Sequence, residues 1–316
     1  MRYLVLVFII IFMGGCGSQS KPTVPKWYLN PPYNNTYLYG TGVASSLNQA
    51  KTDALKNISE NLVVTVQSSI ETTTKLSNTN YSKNITKNIK LEAKRITFTN
   101  YKTEKILKSE DQFYILLKVN KQKLFDQQYK QFQLLDKKIT TNIALIKDNS
   151  KLEQIYILQH NLTNIQKAKN QAFILYAIDN SFDYSVYFTK YESYIHKLTV
   201  LKNQLCISVI SSIQNDTYKS YLVSLITKQK YKISDNNPDV VINLSHDIRY
   251  STARGWQIAK VSSNIDVQAN HKTISNNIIN TIGRSSSTKT NALNDSAKHF
   301  NQQIIKLGLD KILFGR

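Results

Sequence analysis

The spacing of apolar residues changes along the chain, and that change constrains the fold more than any other feature. Leu47, Ala50, Ala54, Ile58, Leu62, Val66 and Ile70 follow one another at steps of three or four. Such steps place them on one stripe of a long amphipathic helix. Toward the C-terminus the steps become even: Val240, Ile242, Leu244 and Ile248 in one stretch, Val261, Ile265 and Val267 in the next. Even steps line one face of a strand. Both signals in separate blocks predict an α+β chain.

The first block opens on Trp27-Tyr28-Leu29-Asn30-Pro31-Pro32, where two prolines stop regular structure. Tyr37–Ala44 reads as a strand, and Ser46 with Gln49 forms a capping-box pattern that starts the long helix. A second amphipathic stretch runs from about Asn78 to Lys94, with Ile85, Ile89 and Ala93 on one side. Two strands follow, the first through Ile96 and Phe98, the second through Phe113, Ile115, Leu117 and Val119, with a turn at Ser109–Gln112. Residues 27–121 thus read as helices laid on an antiparallel sheet.

Residues 122–203 keep helical spacing, broken at Asp148-Asn149-Ser150 and at Asp179-Asn180-Ser181. Three helices with short loops are expected there as a connector of antiparallel neighbours. Residues 204–316 predict the order β-α-β-β-β-β-α, mainly antiparallel, with a Ser/Thr cluster placed to cap the closing helix of Ala292, Ala297, Phe300, Ile304 and Leu307.

The N-terminus carries a different message. After Arg2, Tyr3–Met13 is an unbroken apolar run. Eleven helical residues rise only about 16 Å, roughly half the hydrocarbon thickness, which suits the apolar core of a signal peptide. Met13-Gly14-Gly15-Cys16 is similar to a lipobox, although Met13 stands where Leu is usual. The two glycines would admit the backbone to the signal peptidase, and the Cys16 thiol would take up diacylglycerol. Residues 1–15 are then a cleaved signal peptide and 16–26 a lipidated tether. No cofactor is expected beyond the covalent diacylglycerol and N-acyl (palmitate) lipid on Cys16. Gly17 stands where Asp would favour inner-membrane retention, so the expected address is the outer membrane, lipid-anchored and facing the periplasm. Of the two cysteines, lipidation of Cys16 leaves Cys206 unpaired, expected as a small buried hydrophobe.

A net charge of +20 ordinarily suggests nucleic acid, but an exported, tethered chain does not normally meet it, and no nucleic-acid partner is expected. Lys, Asn, Ile and Tyr are abundant together, so much of the charge is compositional. Lys83, Lys87, Lys90 and Lys94 are spaced four, three and four, which makes one basic stripe on a helix. It is a candidate anion-binding surface for lipid phosphates, lipopolysaccharide or an acidic protein. Its plainer reading is a solvated helix face.

Catalytic and metal constellations are weak. Gly40-Thr41-Gly42 lacks the third glycine of a dinucleotide loop, Ser45 standing in its place, and reads as a close helix–sheet approach. In Ser245-His246-Asp247, strand geometry points His246 and Asp247 to opposite faces, so the adjacent residues cannot form a relay. The histidines at 160, 196, 246, 271 and 299 are scattered, so no metal site is expected. The chain is expected to be non-catalytic.

The ordered motifs Trp27–Pro32, Tyr39-Gly40-Thr41-Gly42-Val43-Ala44 and Gln49–Leu55 resemble the LPP-twenty lipoprotein family over about Lys26 to Leu135. That family comprises envelope lipoproteins found notably in epsilon-class proteobacteria, some of which build flagellar basal-body disks beneath the outer membrane. The resemblance implies a structural or assembly role through contacts with envelope proteins or through self-association. The alternative is a lipid- or lipopolysaccharide-binding module.

Overall fold

The computed structural model describes residues 24–73, 89–147, 149–213 and 216–315. It is an α+β protein whose described residues fall into two compact units, the first reaching to Phe132 and including Asn170–Tyr184, the second holding Gln133–Lys169 and Ser185 onward. Met13, Gly14, Gly15, Cys16, Lys83 and Lys87 lie outside the described residues.

In the first unit a single helical turn, α1 (Lys26–Leu29), precedes β1 (Tyr37–Ala44), the long helix α2 (Leu47–Thr73), β2 (Tyr101–Ser109) and β3 (Gln112–Asn120). The strands form an antiparallel sheet in the order β1-β3-β2. Helix α2 starts where Ser46 Oγ accepts the Gln49 N–H at 3.3 Å. Only that half of the capping box forms, because the Gln49 amide turns instead to Asp53 at 3.1 Å. Ala50 and Ala54 of α2 meet Ile115 and Leu117 of β3 in a fully buried cluster. The helix can lie this close because Gly40 and Gly42 have no Cβ; one added at either would be driven into the Ala54 or Ala50 carbonyl oxygen.

The strand expected at Ile96 and Phe98 begins later, at Tyr101. Its residues are exposed almost throughout, because β2 is an edge strand that α2 does not cover. Alternation reports burial, and an uncovered strand has none to report. Residues 96–99 are instead held by helix α3 (Lys121–Ala144), where the Gln127 amide donates to the Thr97 carbonyl at 3.2 Å.

Three helices follow in sequence: α3, α4 (Lys151–Ile178) and α5 (Tyr184–Gln204). Helix α4 opens with a reciprocal capping box: Ser150 Oγ accepts the Glu153 N–H at 3.3 Å, and the Glu153 carboxylate accepts the Ser150 N–H at 3.0 Å.

The second unit carries β4 (Cys206–Ser211), α6 (Thr217–Lys228), β5 (Lys232–Ile233), β6 (Val240–Ala253), β7 (Trp256–Ala269), β8 (Lys272–Ser285), α7 (Lys289–Leu307) and α8 (Leu309–Phe314). Its mixed sheet has the order β5-β4-β6-β7-β8. Strand β4 runs parallel to both neighbours, and β6, β7 and β8 form an antiparallel meander. The meander's two-residue turns, Arg254-Gly255 and Asn270-His271, have positive φ at both positions, as tight hairpins of this twist require. Helices α6 and α7 place Tyr218, Leu222, Ala297 and Phe300 in one core with Ile242, Val261 and Ile265 of the sheet. The glycine device recurs: a Cβ on Gly283 of β8 would strike α7 at Ala292 and Ser296. Strand β6 runs beyond its last alternating residue, Ile248, to Ala253, exposed but still paired with β7. Cys206 is half-exposed at the start of β4, not buried as expected, because Leu205 and Ile207 on either side take the core positions.

Candidate functional site

A cleft of about 830 Å³ opens in the first unit. Its construction begins at Pro31 and Pro32, which end α1 and deliver the chain to Asn34. The Asn34 side-chain oxygen accepts the N–H groups of Thr36 (3.0 Å) and Tyr37 (2.7 Å), and its amide donates to the Tyr39 hydroxyl at 3.1 Å. One asparagine thereby sets the path of the whole 33–39 segment. The N–H of Lys121 donates to the Thr36 carbonyl at 2.9 Å and ties that segment to the start of α3.

Ile58 and Leu62 of α2 form an apolar floor. The walls carry Tyr33, Tyr37, Tyr39, Phe125 and Tyr176, interspersed with side-chain amides. Tyr33 is 89 % exposed, yet its ring is not unsupported: the Lys121 ammonium lies 5.7 Å from its centroid. Tyr37 is similarly covered by Lys118, 5.1 Å from its ring. The Lys118 ammonium donates to Glu104, which lifts its pKa above the ordinary lysine value despite the opposing effect of desolvation. At the far end, Asp179 Oδ1 accepts the N–H (3.0 Å) and hydroxyl (2.8 Å) of Ser181. Besides the Lys121 ammonium and the Asp179 carboxylate, the cleft presents mainly ring faces and neutral amides.

A second constellation is buried in the other unit. The His246 ring stands 2.9 Å from Ser263 Oγ through Nδ1 and 3.0 Å from Asp216 Oδ2 through Nε2. Asp216 also accepts from Ser211 Oγ (2.6 Å) and from the Tyr218 N–H (2.9 Å), the latter as N-cap of α6. Burial pushes the Asp216 carboxyl up, but the bonds from His246, Ser211 and Tyr218 outweigh it and hold the group below its ordinary value. The residue types are those of a hydrolytic relay. The setting is not, because Ser263 is completely buried and its hydroxyl faces no solvent. Asp247, the sequence neighbour of His246, points the other way and pairs with exposed Arg249 at 2.9 Å.

Of the lysine stripe, Lys90 and Lys94 are described. Both are exposed, Lys90 in a helical stretch at 89–93 and Lys94 directly after it. The Lys94 N–H donates to the Lys90 carbonyl at 3.2 Å, so the two lie one turn apart. Among the described residues no group of three or more His, Cys, Asp and Glu side chains could hold a metal ion. No described helix is long and apolar enough to cross a membrane.

A short antiparallel sheet packed on one long helix, preceded by an aromatic and proline-rich lead, defines an α+β module. Residues 25–120 match the family model of the LPP20 lipoprotein. Among solved structures, a secreted protein of the human pathogen Helicobacter pylori is similar over 87% of this chain and 99% of its own, with 13% identity and a TM-score of 0.46. A minor lipoprotein of Acinetobacter baumannii covers 32% of this chain and 88% of its own, with 12% identity and a TM-score of 0.27. A lipoprotein of Neisseria meningitidis covers 32% of this chain and 99% of its own, with 11% identity and a TM-score of 0.24. No curated protein matches the chain.

Proposed function

We propose that this protein is a non-catalytic lipoprotein of the outer membrane, tethered through Cys16 and facing the periplasm, where it acts as a structural or assembly component. The observation that carries the reading is one of order. A short apolar run and a small-small-Cys triplet at Met13–Cys16 stand just ahead of the residues that match the LPP20 lipoprotein family model. Acyl chains on Cys16 confine the folded units to a surface and raise their effective concentration toward envelope partners. Service at the flagellar basal body is the specific form of this role that the family resemblance favours.

Growth with an alkyne-labelled palmitate tests the anchor: the wild type incorporates label and Cys16→Ser does not. An unlabelled wild type ends the proposal. Motility of a deletion strain tests the flagellar form, which normal swimming with intact basal disks would remove.

The exposed pair Lys90 and Lys94 supports a second reading, binding of anionic lipid or lipopolysaccharide. Loss of lipopolysaccharide binding on neutralising Lys83, Lys87, Lys90 and Lys94 together, with the fold intact, would favour it.

A further inference from the structure

We propose that the cleft between Tyr33, Tyr37, Phe125 and Asn180 is a binding site for a neutral, polyhydroxylated sugar chain. Its volume of about 830 Å³ falls within the roughly 300–1,000 Å³ typical of small-molecule sites. Size alone does not select a ligand; the lining does.

The walls offer two kinds of group in alternation. Aromatic rings give flat, weakly polar faces, suited to the C–H face of a sugar ring. Amides give donors and acceptors side by side, and a hydroxyl is likewise both donor and acceptor. The side-chain amides of Asn35 and Asn180, both exposed on the lining, make no hydrogen bond within the described chain. They are therefore available to a ligand without breaking any bond of the fold.

The charges argue against the other ligand classes. An anion would need an excess of cations, but the lining carries one, Lys121, together with the opposite charge of Asp179. A cation would need an excess of carboxylates, and the lining carries Asp179 alone. A wholly apolar ligand would strand the amides, each unpaired polar group costing about 1–3 kcal/mol.

Preorganisation supports the assignment. Tyr33 stays 89 % exposed, yet Pro32 precedes it and the Asn34 turn follows, so its backbone is restrained before any ligand arrives. A platform held in advance loses little freedom on binding. In the envelope such a sugar chain has two sources, the glycan of the cell wall and the saccharide of lipopolysaccharide. The choice of these sources rests on the envelope reading; the chemistry of the cleft does not.

Calorimetric titration of the full-length lipoprotein in detergent tests the site, with chitotetraose as the wall-type probe and delipidated core oligosaccharide as the other. Saturable binding of either supports the proposal and names the source. Tyr33→Ala and Asn180→Ala should each weaken that binding at least tenfold while thermal midpoints stay within a degree or two, since both side chains are exposed. Inert sugars, binding that both variants leave unchanged, or a cleft that takes only an unstructured peptide would overturn it. Palmitate labelling of the same preparation is read separately, so failure of the anchor and failure of the cleft cannot be confused.

Discussion

At the scale of single residues, the most consequential are those with nothing to spare. Gly42 faces the Ala50 carbonyl across the contact between β1 and α2, and Gly42→Ala must push the helix off its sheet. Overpacking of this kind costs about 3 kcal/mol, read as a lower urea midpoint with an unchanged slope. The buried trio of Asp216, His246 and Ser263 acts through hydrogen bonds in place of contact distance. His246→Ala leaves the Asp216 carboxylate short of a partner, at a cost of about 2–3 kcal/mol. The pH dependence has a definite sign. Asp216 is held below its ordinary value of 3.8, so its stabilising contribution is complete above that value and disappears as pH falls through the lowered folded pKa. Urea midpoints taken below pH 4 should therefore drop more steeply for the wild type than for Asp216→Asn. One member of this trio was legible in the sequence. The even steps through Ile242, Leu244 and Ile248 put His246 on the covered face. Its partners lie 30 and 17 residues away, and no local pattern names them.

At the scale of elements, caps and turns are where short stretches of sequence speak most directly. Thr288 accepts the Asn291 N–H at 3.0 Å and starts α7. Thr288→Ala should cost about 1 kcal/mol, visible as a small fall in thermal midpoint without change in sheet content. The same local signals made the three central helices readable in advance, and also the β-α-β-β-β-β-α order of the last module, to which the structure adds the short helix α8. They failed at β2, and they carry no alternation over the outer half of β6. In both places backbone pairing continues where the helical cover stops. A pattern of apolar and polar residues records what lies above a strand, not what lies beside it. Tyr250, Ser251 and Thr252 thus stay paired with β7, without the second neighbour that β4 gives Ile242, and no apolar alternation reveals it. The cleft was hidden for another reason. Four separate segments supply it, the 31–39 loop, α2, the start of α3 and the end of α4, and each reads by itself as ordinary surface.

At the scale of the whole molecule, the net charge of +20 and the expected lipid make distinct demands on a membrane. Exposed charges are screened within about 3 Å at 1 M salt, whereas buried acyl chains are indifferent to it. Washing envelopes with 1 M salt should leave the wild type on the membrane and release Cys16→Ser. Extraction of both would mean that charge, not lipid, holds the protein there. The apolar run and the small-residue triplet at the N-terminus carried this expectation without any knowledge of the fold.

Both sheets seat their helices on bare backbone, Gly40 and Gly42 in one, Gly283 in the other. Main-chain atoms touching main-chain atoms form a joint with a single closed position, like a key cut to one depth. Such a joint fixes the layer spacing without help from the surrounding side chains. Those side chains are then free to vary, and a chain crowded with lysine and asparagine can keep its architecture while its surface is rewritten.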